Sequence, residues 1–127
     1  MKREQALKIV LVLVGLLFSA AIYPLIGGLR DPSHLDTGDT MMMSLYLALG
    51  VFLLIAVRSA SAHRSLIAFA AWSSFAHAAV MTILGFEMRS ERTGFWIGSG
   101  LLVLIGVALI ALAPGKQPAE RPSIMAA

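Results

Sequence analysis

Apolar and polar positions segregate along the chain into long charge-free runs separated by short charged clusters. With His counted as neutral, the runs are Ile9–Leu29 (21 residues), Thr40–Val57 (18), Ser65–Phe86 (22) and Thr93–Gly115 (23). Each is close to the roughly 20 residues that a helix needs to cross about 30 Å of hydrocarbon. The pattern predicts four spans over about 9–29, 40–57, 65–86 and 93–114, and hence an all-α integral membrane four-helix bundle. Strands of a membrane barrel would alternate apolar and polar residues, and stretches such as Ile9-Val10-Leu11-Val12-Leu13-Val14 do not alternate.

The connections refine this layout. Only Arg58-Ser59-Ala60-Ser61-Ala62-His63-Arg64 joins the second and third spans, which predicts a tight antiparallel hairpin there. Arg30–Asp39 is the longest connection, with Asp31-Pro32 and Gly38-Asp39 as turn signals, and Asp39 with Thr40 is expected to cap the second span. Beyond Pro114 the segment Gly115–Ala127 carries Pro118 and Pro122 and little apolar content, so a membrane domain over 1–114 is expected to be followed by a disordered tail. The opening Met1–Ala21 has the basic start and small residues of a signal peptide. Its uncharged stretch, however, runs on through Tyr23, Pro24 and Gly28, longer than a signal core, and reads as a retained span.

Composition agrees with the pattern. Apolar residues make up 58% and charged residues 13% of the 127 residues, against about 45–50% and about 25% in a soluble domain. Cys is absent, which removes thiolate nucleophiles, disulfide chemistry and iron–sulfur ligation. Lys2, Arg3, Lys8, Arg58, Arg64, Lys116 and Arg121 would share one side of the membrane, and Arg30, Arg89 and Arg92 the other. Basic residues favour the cytoplasmic side, so both termini are expected there. The sequence pI of about 9.8 reflects this bias and gives no reason to invoke nucleic acid.

Little in the chain points to catalysis. No Asp or Glu lies inside a span, and neither Gly-rich phosphate loops nor His-x-x-x-His metal pairs occur. Met41-Met42-Met43, with His34 near in sequence, are soft ligand types, but three adjacent helical residues point in different directions, so no metal is assigned. The third span is the exception. His77 lies twelve residues from Ser65, about 18 Å deep at 1.5 Å per residue, and ionisable residues at that depth usually face the bundle interior. Ala70, Ser73, Ser74, His77 and Met81 share one helical face, which is expected to pack inward.

Depth matching extends the cluster. Tyr46 lies about 16.5 Å from the same edge, Ser19 about 15 Å, Ser44 about 19.5 Å and Ser99 about 21 Å, so every span offers a hydroxyl near His77. A polar layer of this kind serves as interhelical glue, each contact contributing about 0.6 kcal/mol on average. The alternative makes His77, Tyr46, Ser73 and Ser74 a binding site for haem, quinone or a small solute, in a redox anchor or transporter subunit. Bis-His haem needs a second buried His. His34 and His63 fall in loops, so a second copy or a partner would have to supply it, and no cofactor is assigned. Gly15-x-x-x-Ser19, Ser44-x-x-x-Ala48 and Gly94-x-x-x-Gly98 are small-residue spacings that let helices approach closely. Trp96, Phe95, Tyr23 and Phe86 read as anchors at the outer headgroups.

Arg64-Ser65-Leu66-Ile67-Ala68-Phe69, followed by Ala71-Trp72-Ser73-Ser74-Phe75-Ala76-His77-Ala78-Ala79-Val80-Met81, is the most specific stretch. With Ser44-Leu45-Tyr46 and Lys8-Ile9-Val10-Leu11-Val12 it resembles an uncharacterised family of small bacterial four-span inner-membrane proteins, a domain of unknown function. The resemblance covers most of Met1–Ala113 and leaves out the loop Arg30–Thr40 and the tail. It implies a multi-pass protein of the bacterial inner membrane and no activity. The expectation is a non-catalytic scaffold or accessory subunit in the lipid bilayer, with a second copy or another membrane protein as partner.

Overall fold

The computed structural model describes residues 2–33 and 36–115. His34 and the expected tail, apart from Gly115, lie outside the described residues. The helices are α1 (Lys2–Ser19), α2 (Ile22–Arg30), α3 (Thr37–Ala56), α4 (Arg64–Glu87) and α5 (Arg92–Leu112), with short 3₁₀ turns at Ala60–His63 and Arg89–Glu91. Four helical stretches are long and apolar enough to cross a membrane: Lys2–Arg30, Thr37–Ala56, Ala60–Glu87 and Arg89–Leu112. They cover the four charge-free runs except Val57 and residues 113–115, and overrun the other six ends. A helix need not stop where the hydrocarbon does, because charged residues in the headgroup region continue it at no desolvation cost.

The first span is broken, which the charge pattern does not reveal. Pro24 has no N–H to offer the Ala20 carbonyl, and its ring crowds that carbonyl. The Tyr23 N–H takes the Ala20 oxygen instead at 3.1 Å, one residue early, and the Ala21 N–H likewise takes Phe18 at 3.1 Å. The helix therefore tightens at Ala20–Ala21 and restarts as α2.

The expected cap of the second span is also corrected. Asp36 is the N-cap and makes no side-chain capping bond, while Asp39 sits inside the first helical turn. There its charge favours the positive end of the helix dipole. Thr40 Oγ1 donates back to the Asp36 carbonyl at 3.1 Å. In the preceding loop the Ser33 hydroxyl and backbone N–H both donate to Asp31, the latter at 3.1 Å, and these bonds hold the Asp31 carboxyl below the usual carboxylate range.

Helix pairing follows the small residues. α1 packs closely on α3, and α4 on α5, whereas α3 and α4 touch only sparsely despite their short connection. The expected tight hairpin between the second and third spans is thus a short turn between two loosely packed helices. At the α1–α3 crossing a Cβ on Gly50 would stand 2.6 Å from the Ser19 nitrogen and 2.8 Å from the Gly15 carbonyl. Gly15-x-x-x-Ser19 therefore meets Gly50 backbone to backbone. On the other side the Phe75 ring covers Gly106, Met81 covers Gly98 and Trp96 covers Gly85.

The core lies mostly in one half of the bundle. Its buried side chains are Leu7, Leu11, Val14 and Phe18 of α1, Leu53 and Ala56 of α3, Ile67, Ala70, Ala71, Ser74 and Ala78 of α4, and Ser99, Leu102, Ile105 and Leu109 of α5. Most belong to the half that carries the Arg58–Arg64 turn, and Phe18, Ala78 and Ser99 lie just past mid-span. No described residue of α3 before Gly50, or of α5 before Ser99, is buried. Side chains such as Leu13, Phe52, Phe69, Trp72, Ile83 and Leu104 are more than half exposed, as lipid-facing positions are.

At the far end Arg92 closes the α4–α5 turn. Its Nε donates to the Gly85 carbonyl at 2.9 Å, and its guanidinium lies 5.2 Å from the centre of the Trp96 ring. A cation at the carbonyl end of α4 also complements the helix dipole. Phe86 meets Trp96 edge to face at 5.4 Å. Two of the expected anchors are therefore packed on one another.

Candidate functional site

His77 stands near the middle of α4, and Tyr46 near the middle of α3. Their ring centres are 5.4 Å apart at an interplanar angle of 87°, edge to face. Tyr46 meets Phe18 of α1 in the same way at 4.9 Å and 69°. Three spans thus contribute one ring each to a single row. Phe18 is buried, while Tyr46 and His77 are half-buried. Such edge-to-face pairs contribute about 0.5–1.5 kcal/mol each beyond area burial.

The inward face of α4 is rotated from the expected one. Ile67, Ala70, Ala71, Ser74, Ala78 and Gly85 are its buried residues, whereas Ser73, His77 and Met81 are half-buried on its shoulder. Ala71, Ser74 and Ala78 are small enough to let neighbouring helices come close, and that turns His77 aside toward α3.

The Ser73, Ser74 and Ser44 hydroxyls are spent on backbone carbonyls. Ser74 Oγ donates to the Ala70 carbonyl at 2.7 Å and Ser73 Oγ to the same oxygen at 3.1 Å. Both sit within one turn of His77, and among the described residues neither bonds to it. Ser44 is exposed and donates to the Met41 carbonyl at 2.6 Å, so it does not join the layer. Ser19 Oγ is buried without a hydrogen-bond partner among the described residues.

A polar bridge that the depth count half anticipates joins α4 to α5. Ser99 Oγ donates to the Ala78 carbonyl at 3.0 Å and lies 2.7 Å from Thr82 Oγ1, which itself donates to Ala78 at 2.8 Å. Thr82 lies outside the depth-matched set of hydroxyls. It continues the line Ser74–Ala78–Thr82 at four-residue spacing, and that spacing is the signal that would have found it.

No group of three or more His, Asp or Glu residues that could hold a metal occurs among the described residues. His63 is occupied locally, with Nδ1 2.8 Å from the Ser59 carbonyl oxygen. Met41 and Met42 are exposed and Met43 is half-buried.

A chain whose described residues are mostly helical, with four stretches of membrane-spanning length, belongs to the class of small multi-pass membrane proteins. Within that class the chain is a member of the family of unknown function DUF6632, whose profile matches residues 3–124. No curated protein and no solved structure matches it.

Proposed function

We propose that the protein is a non-catalytic scaffold or accessory subunit of a bacterial inner membrane, with both ends of its membrane domain facing the cytoplasm. The observation that carries this reading is the use made of the mid-membrane polar groups. Ser73, Ser74, Thr82 and Ser99 donate to the carbonyls of Ala70 and Ala78, and Phe18, Tyr46 and His77 pack ring against ring. The Ser73, Ser74 and Thr82 bonds stay within α4, while the Ser99 bond joins α5 to α4 and the ring contacts join α1, α3 and α4; contacts of the latter kind hold helices together in lipid, where no hydrophobic drive brings them together. The seven-to-three division of basic residues supports the orientation, and the likeness to bacterial four-span proteins supports the membrane.

The test is purification of the full chain from its own membranes in mild detergent, followed by native mass spectrometry, absorbance spectroscopy and quinone extraction. A stoichiometric assembly with a second copy or another membrane protein, free of haem and quinone, is the expected result. Stoichiometric haem or quinone that is lost in a folded His77→Asn variant would overturn the reading in favour of a redox anchor.

A further inference from the structure

Two features of the α1–α5 side adjoin each other and differ in chemistry. At the basic end a cleft of about 580 Å³ is bordered by Arg3, Lys8 and Arg58, with Glu4 as its one acid and Leu7 and Leu112 among its apolar lining. Glu4 is turned to Lys8 at 3.8 Å. Arg3 reaches across the seam to the Ala113 carbonyl at 2.9 Å and keeps further N–H donors on its guanidinium. Arg58 is exposed and has no side-chain partner among the described residues. Below this cleft an apolar groove of about 200 Å³ runs along α1 and α5, between Val10 and Leu17 on one side and Leu101, Leu104 and Ala108 on the other.

Cleft and groove share their lines of residues. Arg3, Val10 and Leu17 recur at seven-residue spacing on α1, and Leu101, Ala108 and Leu112 recur at seven and four on α5. The groove therefore leads up to the cations. Depth points the same way: Lys8 directly precedes the charge-free run of the first span, and Arg58 directly follows that of the second. Both cations thus stand where hydrocarbon gives way to headgroups.

We propose that this seam is a binding site for one anionic phospholipid, its phosphate held by Arg3, Lys8 and Arg58 and one acyl chain lying in the groove. Net positive charge around the cleft selects an anion, since three cations face one carboxylate. The dry groove beneath it selects an amphiphile over a free anion. Basic pockets between membrane helices hold anionic headgroups by this combination.

The experiment releases the full chain from vesicles of equimolar phosphatidylcholine and phosphatidylglycerol into a native mass spectrometer and reads which lipid stays bound. One retained phosphatidylglycerol per chain is expected, enriched over phosphatidylcholine. Arg58→Gln should lower that enrichment about fivefold, as should Lys8→Gln, because each cation near the surface contributes a factor of that order. Ala108→Phe fills the groove without touching charge and should also reduce retention, whereas Arg89→Gln at the opposite end should leave it unchanged. Equal retention of both lipids by the native chain would overturn the proposal, as would equal losses in Arg89→Gln and Arg58→Gln. Inorganic phosphate that binds the detergent-purified protein equally well before and after Ala108→Phe, with no lipid retained, would make the cleft a free-anion site and overturn it too. Far-ultraviolet dichroism on each variant keeps a folding defect from counting as either result.

Discussion

Replacing Gly50 with Ala tests the backbone-to-backbone contact between α1 and α3. The added methyl carbon would stand 2.6 Å from the Ser19 nitrogen, 2.8 Å from the Gly15 carbonyl oxygen and 2.8 Å from Ser19 Oγ. Two of these are backbone atoms of α1, which cannot rotate away. To restore an ordinary contact of about 3.4 Å the helices must part by roughly 0.8 Å, and a gap of that size forfeits a quarter to a half of the dispersion energy along the seam. Overpacking of this kind costs about 1–3 kcal/mol, and Gly50→Ala belongs at the upper end.

Two companion variants grade the effect. Gly15→Ala meets the Leu54 side chain at 2.8 Å, which can swing aside, and the Gly50 carbonyl at 3.1 Å, which needs only a few tenths of an ångström, so its cost should be about 1 kcal/mol. Gly100→Ala meets nothing within 4 Å and should be neutral, or stabilising by up to about 1 kcal/mol through helix propensity. The assay is SDS titration in mixed micelles, read by energy transfer between dyes on cysteines introduced at Lys2 and Ser61; the chain has no native Cys, so labelling is specific. Gly50→Ala within 0.5 kcal/mol of the parent, on the order of experimental scatter for a neutral surface change, would refute the reasoning. A ranking with Gly15→Ala costlier than Gly50→Ala would refute it equally.

The same titration gives two further results. A double-mutant cycle on Tyr46→Leu and His77→Leu should return a coupling of about 0.5–1.5 kcal/mol from their edge-to-face contact, and zero coupling would remove His77 from the ring row. Arg92→Gln should cost about 1–2 kcal/mol by losing its charged bond to Gly85 and its seat on Trp96, and Arg92→Lys should recover only part, since ammonium lacks the planar fork. For the orientation, a cysteine at Ser61 should be protected from an impermeant thiol reagent outside intact cells, and one at Thr37 should react; the reverse pattern would invert the assignment of sides.

How far the sequence alone reaches can be seen at particular residues. The charge-free runs from Ile9, Thr40, Ser65 and Thr93 already mark the spans, because transfer of a residue into hydrocarbon is a local free energy that each side chain carries with it. The meeting of Tyr46 with His77 was legible too. It needed only a rise per residue and a short connection, and both are properties of the chain read in one dimension. Pro24 was visible, yet the break it makes at Ala20–Ala21 depended on where the freed carbonyl found a new donor.

Helix pairing was decided by the tertiary structure alone. A seven-residue turn favoured α3 against α4, but the close contacts formed where Gly50 met Gly15 and Ser19, and where Ala78 and Thr82 met Ser99. The same pairing rotated α4 so that His77 sits on a shoulder, and it left Ser73 and Ser74 bonded to Ala70 and not to His77. The physical reason is that apolar helices in lipid have almost no preference among partners until their surfaces touch. The choice then rests on which small residues and hydroxyls coincide across a gap of a few ångströms, a relation between distant positions that no run of hydropathy along the chain contains.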